Sequence, residues 1–162
     1  MVQIGESVPD FIVPATSNKN IQLKALRGYQ ILIYFYPKDK TPACTIENQD
    51  FAANYPRFRR QNTLIFGCSR DSLESHEAFK DSQALPFELI SDENSSLCRL
   101  FGVLREKELF GKTIESLCRS TFFIDANGVL LNEWREVDVR DHVHKVIDYI
   151  EAQPEAQEQK TG

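Results

Sequence analysis

Residues 31–44 read ILIYFYPKDKTPAC, and this stretch decides both the fold and the position of the chemistry. The unbroken apolar run over residues 31–36 predicts a strand that is buried on both of its faces. Residues 45–60 predict a helix, so Cys44 lies where a buried strand passes into a helix N-terminus. The helix dipole and the unpaired amide groups at such an end favour thiolate over thiol. Because thiolate is the reactive form of cysteine, Cys44 is the candidate nucleophile.

Further apolar runs predict the rest of a sheet. Continuous runs over residues 64–68 and 121–124 are typical of strands buried on both faces. A turn at residues 125–128, Asp-Ala-Asn-Gly, leads into a returning strand over 129–134 and closes a hairpin. Residues 1–28 predict a short β-rich lead before the first buried strand.

Helical patterns separate these strands. The expected helices cover residues 45–60, 72–82, 95–101 and 140–152. Pro56 is expected to kink or shorten the first of them, because proline lacks the amide hydrogen that a helix interior uses. Residues 106–108, Glu-Lys-Glu, are interpreted as a solvated connection. Alternating strands and helices with a terminal hairpin predict an α/β fold.

Length and composition fit one globular domain. The chain has 162 residues, of which 41% are hydrophobic and 27% charged, values that are ordinary for a soluble protein. We expect residues 1–152 to form this domain and residues 153–162 to form a flexible polar tail. The net charge of −5 gives no electrostatic reason to expect a nucleic-acid partner. No segment has the length and apolar character of a membrane-spanning helix.

The cysteines are Cys44, Cys68, Cys98 and Cys118, and no two of them form a Cys-x-x-Cys pair. Their spacing argues against a zinc site or a dithiol redox motif. The three histidines have no metal-ligand spacing with one another or with the cysteines, so we expect them to have surface or structural roles. Residues 1–20 show no secretory signal, and a cytoplasmic location with free thiols is therefore expected.

Pro37, Thr41 and Cys44 have the spacing Pro-x-x-x-Thr-x-x-Cys, which resembles the active-site signature of the peroxiredoxins. The longer stretch FYPKDKTP, residues 35–42, resembles the branch called bacterioferritin comigratory protein or peroxiredoxin Q. The similarity extends over about residues 4–150. It implies a thioredoxin-like α/β fold of the peroxiredoxin type, in which a central mixed β-sheet is flanked by helices.

The same resemblance implies a thiol-dependent peroxidase. Such an enzyme reduces hydrogen peroxide and alkyl hydroperoxides through a peroxidatic cysteine, here Cys44, and needs no metal, haem or flavin cofactor. The expected partners are the hydroperoxide substrate and a thiol reductant, either thioredoxin or glutaredoxin with glutathione. No nucleic-acid or membrane partner is expected, and the branch implies a monomer or a weak dimer.

Supporting residues follow from the matched motifs. Residues 118–125, CRSTFFID, are similar to the family strand whose arginine reaches the nucleophile, and this assigns that role to Arg119. Glu47 matches an acidic position that could hold the arginine. The Thr41 hydroxyl can hydrogen-bond the thiolate and an incoming peroxide oxygen, and Pro37 stiffens the loop. A guanidinium suits the site because it is always charged and has several fixed donors.

One part of the family pattern is absent. Many members of this branch carry a second, resolving cysteine five residues after the nucleophile or on the next helix, but here Gln49 and Lys80 occupy those positions. Cys98 and Cys118 remain as possible resolving cysteines. Cys98 falls at the edge of the core side of a short helix, and Cys118 should point away from its neighbour Arg119 on a strand. We therefore expect a one-cysteine mechanism that an external thiol completes.

Three alternatives stay open. The first is a peroxidase that resolves internally through one of the two remaining cysteines. The second is a thiol–disulfide oxidoreductase, against which the missing Cys-x-x-Cys pair argues. The third is a redox-sensing module that keeps the fold without turnover. The combination of Pro37, Thr41 and Arg119 with Cys44 favours catalysis over a bare switch.

Overall fold

A computed structural model describes residues 1–153, which form two β-sheets and four α-helices. The strands are β1 (Ile12–Ala15), β2 (Lys19–Gln22), β3 (Gln30–Phe35), β4 (Thr63–Ser69), β5 (Leu89–Ser91), β6 (Leu104–Leu109), β7 (Lys112–Leu117), β8 (Ser120–Ile124) and β9 (Leu130–Trp134). The helices are α1 (Pro42–Arg60), α2 (Leu73–Gln83), α3 (Ser96–Phe101) and α4 (His142–Glu151), and a 3-10 turn covers Lys24–Leu26. Seven strands form the main sheet in the order β2-β1-β5-β4-β3-β8-β9, and β6 pairs with β7 in a separate hairpin.

The main sheet divides the interior into two cores, and strand β3 contributes side chains to both of them. All of its residues are buried, and successive side chains point to opposite faces of the sheet. Ile33 and Phe35 pack with α3 in what we call the α3-side core. Leu32 and Tyr34 pack with α1, α2 and α4 in the α1-side core. The predicted mixed sheet with flanking helices is thus confirmed.

Strand directions bring two distant segments to one edge of the main sheet. Strands β3, β4 and β5 are parallel, so their C-terminal ends share an edge. Strand β8 is antiparallel to β3, and its first residue, Ser120, pairs with Phe35 at the end of β3. Arg119 directly precedes Ser120, whereas residues 37–41 follow β3 and lead to Cys44. The sheet therefore places Arg119 close to Cys44, although 75 positions separate them along the chain.

Helix α1 begins earlier than the sequence predicts and ends at Arg60, as expected. It starts at Pro42, where the fixed φ of proline suits a first helical position and its missing amide hydrogen costs nothing. The expected shortening at Pro56 is wrong, because α1 continues to Arg60. Phe51 and Phe58, on either side of Pro56, are buried in the α1-side core, and this packing outweighs the loss of one helical hydrogen bond.

The sequence also misses three short strands. Strand β5 has only three residues, too few to show a period. Residues 106–108 are exposed as expected, but they belong to β6 and pair with β7, so their interpretation as a connection is wrong. Phe110 and Gly111 form the two-residue turn of this hairpin, both with positive φ. Neither face of the hairpin is buried along its length, and the apolar alternation that identifies a strand is therefore missing.

The described chain ends just after α4. The Gln153 amide donates to the Ile150 carbonyl oxygen, and its side chain donates to the Tyr149 carbonyl oxygen, both at 3.1 Å. The rest of the predicted tail, residues 154–162, lies outside the described residues. Within residues 1–153, no helix combines the length and the apolar character needed to cross a membrane.

Candidate active site

Cys44 is the third residue of α1 and lies in its first turn. Thr41 is the N-cap residue, with extended backbone angles, and its carbonyl oxygen accepts the first helical hydrogen bond from Thr45 at 2.9 Å. The Cys44 side chain is 1% exposed and packs in the α1-side core. The first turn of a helix carries unpaired amide groups and the positive end of the dipole. The sulfur therefore lies at the end of the helix that suits an anion.

The Arg119 guanidinium connects Cys44 to Glu47. Its Nη2 donates to the Cys44 Sγ at 3.2 Å, and its Nη1 donates to the Glu47 Oε1 at 2.6 Å. Because the donors of a guanidinium have fixed directions, the carboxylate orients the same group that faces the sulfur. The structure thus brings together the three residues that the sequence groups by resemblance. The sulfur therefore faces a permanently charged hydrogen-bond donor.

Glu47 is fully buried, and its second carboxylate oxygen, Oε2, has no hydrogen-bond partner among the described residues. Burial raises the pKa of Glu47 to about 7, although the adjacent Arg119 favours the ionised form and opposes this shift. The charge of Glu47 therefore changes near neutral pH. The strength with which it holds Arg119 should change with it.

Thr41 and Pro37 lie on the loop that precedes α1. The Thr41 hydroxyl donates to the Lys38 carbonyl oxygen at 3.4 Å, so its single proton is directed into the loop rather than toward the sulfur. Donation to the sulfur or to a peroxide, as expected from the sequence, requires the hydroxyl proton to turn away from this carbonyl oxygen. Pro37 is exposed at the start of the loop, directly after the buried Tyr36.

A buried amide supports the first turn of α1 from behind. The Asn48 Nδ2 donates to the Cys44 carbonyl oxygen at 2.8 Å, and the Tyr34 hydroxyl donates to the Asn48 Oδ1. Both side chains are fully buried. Strand β3 therefore holds the helix turn that carries Cys44. The sequence analysis did not identify these two residues, whose only signal is their position beside the motif.

Asp39 fixes the middle of the loop through a buried network. Its carboxylate accepts hydrogen bonds from the Tyr36 hydroxyl at 2.7 Å, the Ser75 hydroxyl at 2.8 Å and the His76 Nδ1 at 2.7 Å. Its backbone amide donates to the Asp71 Oδ2 at 2.6 Å. We call these five residues the loop clamp. It ties the loop before Cys44 to Tyr36, directly after β3, and to α2.

The sequence analysis did not connect His76 with this loop. His76 is fully buried, which agrees with a structural role rather than a surface one. It lies three residues before Phe79, and residues at that spacing share a helix face. Phe79 packs in the α1-side core, so its spacing from His76 could have been used to predict that the histidine is buried.

All four cysteine thiols are free, and Cys68 and Cys98 pack in the core on the opposite side of the main sheet from Cys44. Cys98 is fully buried in the α3-side core, so the main sheet separates it from Cys44. Burial, reinforced by Asp92, raises the pKa of Cys98 well above its usual range, and burial does the same to the pKa of Cys68. Cys118 is half-buried after β7, with its Sγ 4.0 Å from the Arg119 carbonyl oxygen.

Polar contacts occupy the two positions, Gln49 and Lys80, where the resemblance leads us to expect a resolving cysteine. The Gln49 side chain of α1 donates to the Gln83 side chain of α2. The Lys80 Nζ lies 3.6 Å from the Glu88 Oε1, just before β5. These contacts join α1 to α2, and α2 to the edge of the sheet.

Comparison with known proteins decides the family. The family model described as AhpC/TSA matches residues 4–132. Peroxiredoxin Bcp of Bacillus subtilis is 40% identical over 146 residues, which are 90% of this chain and 93% of that relative. This chain belongs to the peroxiredoxin family. Peroxiredoxin Bcp of Xanthomonas campestris is 42% identical over 130 residues, or 80% of this chain and 81% of the relative.

A solved structure extends the agreement to three dimensions. The bacterioferritin comigratory protein of Xanthomonas campestris matches with a TM-score of 0.85 and 38% identity, covering 88% of this chain and 90% of that one. The predicted branch and its thioredoxin-like fold are therefore confirmed. A peroxiredoxin is a thiol-dependent peroxidase, as the sequence predicts. Its reaction needs a nucleophilic sulfur and donors where charge develops, and the site around Cys44 and Arg119 can supply both.

Proposed function

We propose that this peroxiredoxin reduces hydrogen peroxide and alkyl hydroperoxides with Cys44 as its peroxidatic cysteine, and that an external thiol completes the cycle. The contact that carries the proposal is the 3.2 Å hydrogen bond from the Arg119 Nη2 to the Cys44 Sγ. The solved relative from Xanthomonas campestris is described by its alkyl peroxide reduction activity, which supports alkyl hydroperoxides as a substrate class here.

In the first half-reaction, the Cys44 thiolate attacks one oxygen of the peroxide. An S–O bond forms as the O–O bond breaks, so the sulfur is oxidised to a sulfenic acid and the peroxide is reduced. The leaving oxygen departs as hydroxide or alkoxide and takes up a proton to become water or an alcohol. Arg119 lies where this negative charge develops. Thr41 supplies a further donor after rotation, and Pro37 stiffens the loop.

In the second half-reaction, an external thiol resolves the sulfenic acid. Its sulfur attacks the Cys44 sulfur and releases water, and a second thiol then breaks the mixed disulfide and restores Cys44. Gln49 and Lys80 fill the positions of the usual resolving cysteines. Cys98 lies across the main sheet from Cys44, which supports the external route. Internal resolution through Cys98 or Cys118 is the competing proposal.

The proposed setting follows from the same chemistry. Free thiols at all four cysteines suit a reducing compartment, and we assign the protein to the cytoplasm. Thioredoxin or glutaredoxin with glutathione would then supply the electrons. We further propose a single domain over residues 1–152 that works as a monomer or weak dimer, with residues 153–162 as a tail.

Rapid kinetics test the first half-reaction. Reduced protein is mixed with hydrogen peroxide or an alkyl hydroperoxide, and the loss of Cys44 thiol is followed by quenched-flow alkylation. We expect a second-order rate constant orders of magnitude above that of a free thiol. Cys44→Ser should fold normally and consume no peroxide. Substantial peroxide turnover by this variant would refute the assignment of Cys44.

Mass spectrometry tests the second half-reaction. After one equivalent of peroxide, a dimedone-type probe should label Cys44 as a sulfenic acid. A variant with Cys68, Cys98 and Cys118 all changed to serine should keep full turnover with a small dithiol. A peptide linking Cys44 to Cys98 or Cys118, together with loss of thioredoxin-dependent turnover when that partner is removed, would overturn the one-cysteine mechanism. Separate assays with thioredoxin and with glutaredoxin and glutathione identify the reductant.

A further inference from the structure

Both ring nitrogens of His76 face hydrogen-bond acceptors. Nδ1 lies 2.7 Å from the Asp39 Oδ2, and Nε2 lies 3.0 Å from the Ile90 carbonyl oxygen. A carboxylate and a carbonyl oxygen can only accept, so each contact is satisfied when the nitrogen carries a proton. A ring with protons on both nitrogens is an imidazolium.

The neutral ring fits this pocket less well. Without a proton, Nε2 could accept from the Ser69 hydroxyl at 3.2 Å. Its lone pair would then face the lone pairs of the Ile90 carbonyl oxygen at 3.0 Å, where an N–H donor otherwise fits. Both His76 and the Asp39 side chain are almost completely buried, so water cannot relieve that repulsion.

Two carboxylates and a hydroxyl lie close to the His76 ring. The loop contributes the Asp39 carboxylate, and the segment after β4 contributes Asp71; their ligand-type atoms and those of His76 lie within 4.8 Å of one another. Tyr36, directly after β3, contributes its hydroxyl at 3.5 Å from Nδ1. An imidazolium here would therefore lie beside two carboxylates, one of which accepts a hydrogen bond from its Nδ1.

We propose that His76, as an imidazolium paired with Asp39, is a positioning residue that holds the active-site loop in the shape required for the reaction of Cys44. The inference rests on the proposed role of Cys44 for its catalytic consequence, but not for the charge state of His76. Asp39 lies midway between Pro37 and Thr41, so the pair fixes the loop at its centre. His76 touches no reacting atom and acts through Asp39.

The loop needs such an anchor because one of its residues has an energetically unfavourable backbone conformation. Lys40, next to Asp39, has a left-handed φ of 68°, which costs energy in a residue with a side chain. Pro37, Lys38 and Lys40 are exposed, whereas Asp39 is buried. The Asp39 contacts therefore provide the interior attachment of this segment. A displacement of about 1 Å at a reacting group can cost on the order of 100-fold in rate.

Nitrogen NMR of the histidine ring in the reduced wild-type protein tests the charge state directly. We expect protons on both nitrogens of His76 at pH 7, each with a hydrogen-bonded and slowly exchanging signal. His144, which is exposed on α4 with its Nδ1 3.4 Å from the Asp141 Oδ1, gives the signal of a solvent-accessible ring in the same sample. A single protonated nitrogen on His76 would overturn the proposal. So would a chelator-sensitive His76 signal, since a metal ion held by Asp39, Asp71 and His76 would displace the Nδ1 proton.

Rate measurements test the positioning role. His76→Gln and Asp39→Asn should each slow the peroxide reaction of Cys44 about ten- to 100-fold, and the double variant should be no slower than the slower single variant. His144→Gln is the matched control and should react at the wild-type rate. Wild-type rates in both single variants, or additive losses in the double variant, would overturn the role. Wild-type protein that fails to react with peroxide would instead refute the proposed function, while leaving the NMR result intact.

Discussion

Replacing Arg119 with alanine should slow the peroxide reaction of Cys44 by two to three orders of magnitude. A guanidinium 3.2 Å from a thiolate is attracted by roughly 5 kcal/mol at an effective dielectric constant of about 20. Glu47 lies 2.6 Å from another nitrogen of the same guanidinium, and its negative charge offsets part of this attraction. Removal of one donor from a site of developing charge costs about 2.7–4 kcal/mol, or about 100- to 1,000-fold in rate. We expect the loss of Arg119 to fall in this range.

The assay must separate lost chemistry from lost stability. Arg119→Ala leaves Glu47 buried without its partner, which is expected to cost about 3–5 kcal/mol when the carboxylate is ionised. The double variant Arg119→Ala with Glu47→Gln removes this penalty, so it should be more stable than the single variant and equally slow in quenched-flow alkylation of Cys44. Arg140→Ala, at a side chain that is 88% exposed, is the matched control and should not change the rate. A double variant with a near-wild-type rate constant would refute the role of Arg119.

Three further predictions concern stability and resolution. Burial raises the pKa of Glu47 from 4.5 to about 7, so the native state binds this proton more tightly than the unfolded state does. The free energy of unfolding should therefore fall by up to about 3 kcal/mol as the pH rises between these two values. Glu47→Gln should remove this pH dependence in urea titrations at pH 5 and pH 8, and an unchanged dependence would contradict the prediction. Phe58→Ala should lower the free energy of unfolding by about 3–5 kcal/mol, while Phe110→Ala, at a side chain that is 95% exposed, should leave it nearly unchanged in the same titration. Gln49→Cys should yield an internal disulfide with Cys44 after peroxide treatment, and mass spectrometry that finds only sulfenic acid would count against it.

The sequence predicts the framework well because the framework is encoded locally. The apolar side chains of residues 31–36 are shielded from water only if the strand lies between two packed layers, and the structure buries it on both faces. The hairpin at residues 125–128 follows from its turn residues. Cys44 is located by its place between a strand and a helix, which are neighbours along the chain. In each case the deciding residues lie within a few positions of one another.

What the sequence misses depends on contacts between distant segments. The continuation of α1 through Pro56 depends on Phe51 and Phe58 packing against the sheet. Helix propensities of neighbouring residues do not include such tertiary contacts. The approach of Arg119 to Cys44 depends on the pairing of β8 with β3, and resemblance rather than physics suggested it. The His76 contact with Asp39 joins α2 to the loop, and neither residue alone shows that it is half of a buried pair.

The proposed roles place opposing demands on the loop before α1. The first half-reaction needs a fixed geometry, in which Arg119 faces the Cys44 sulfur. The second half-reaction needs a thiol much larger than a peroxide to reach a sulfur that is 1% exposed. Helix α1 is tied to α2 through Gln49, whereas the loop is held from the interior by Asp39. Because the loop is otherwise exposed and Lys40 strains its backbone, the buried contacts of Asp39 with Tyr36, Ser75 and His76 are what must give way if the loop is to move away from the sulfur.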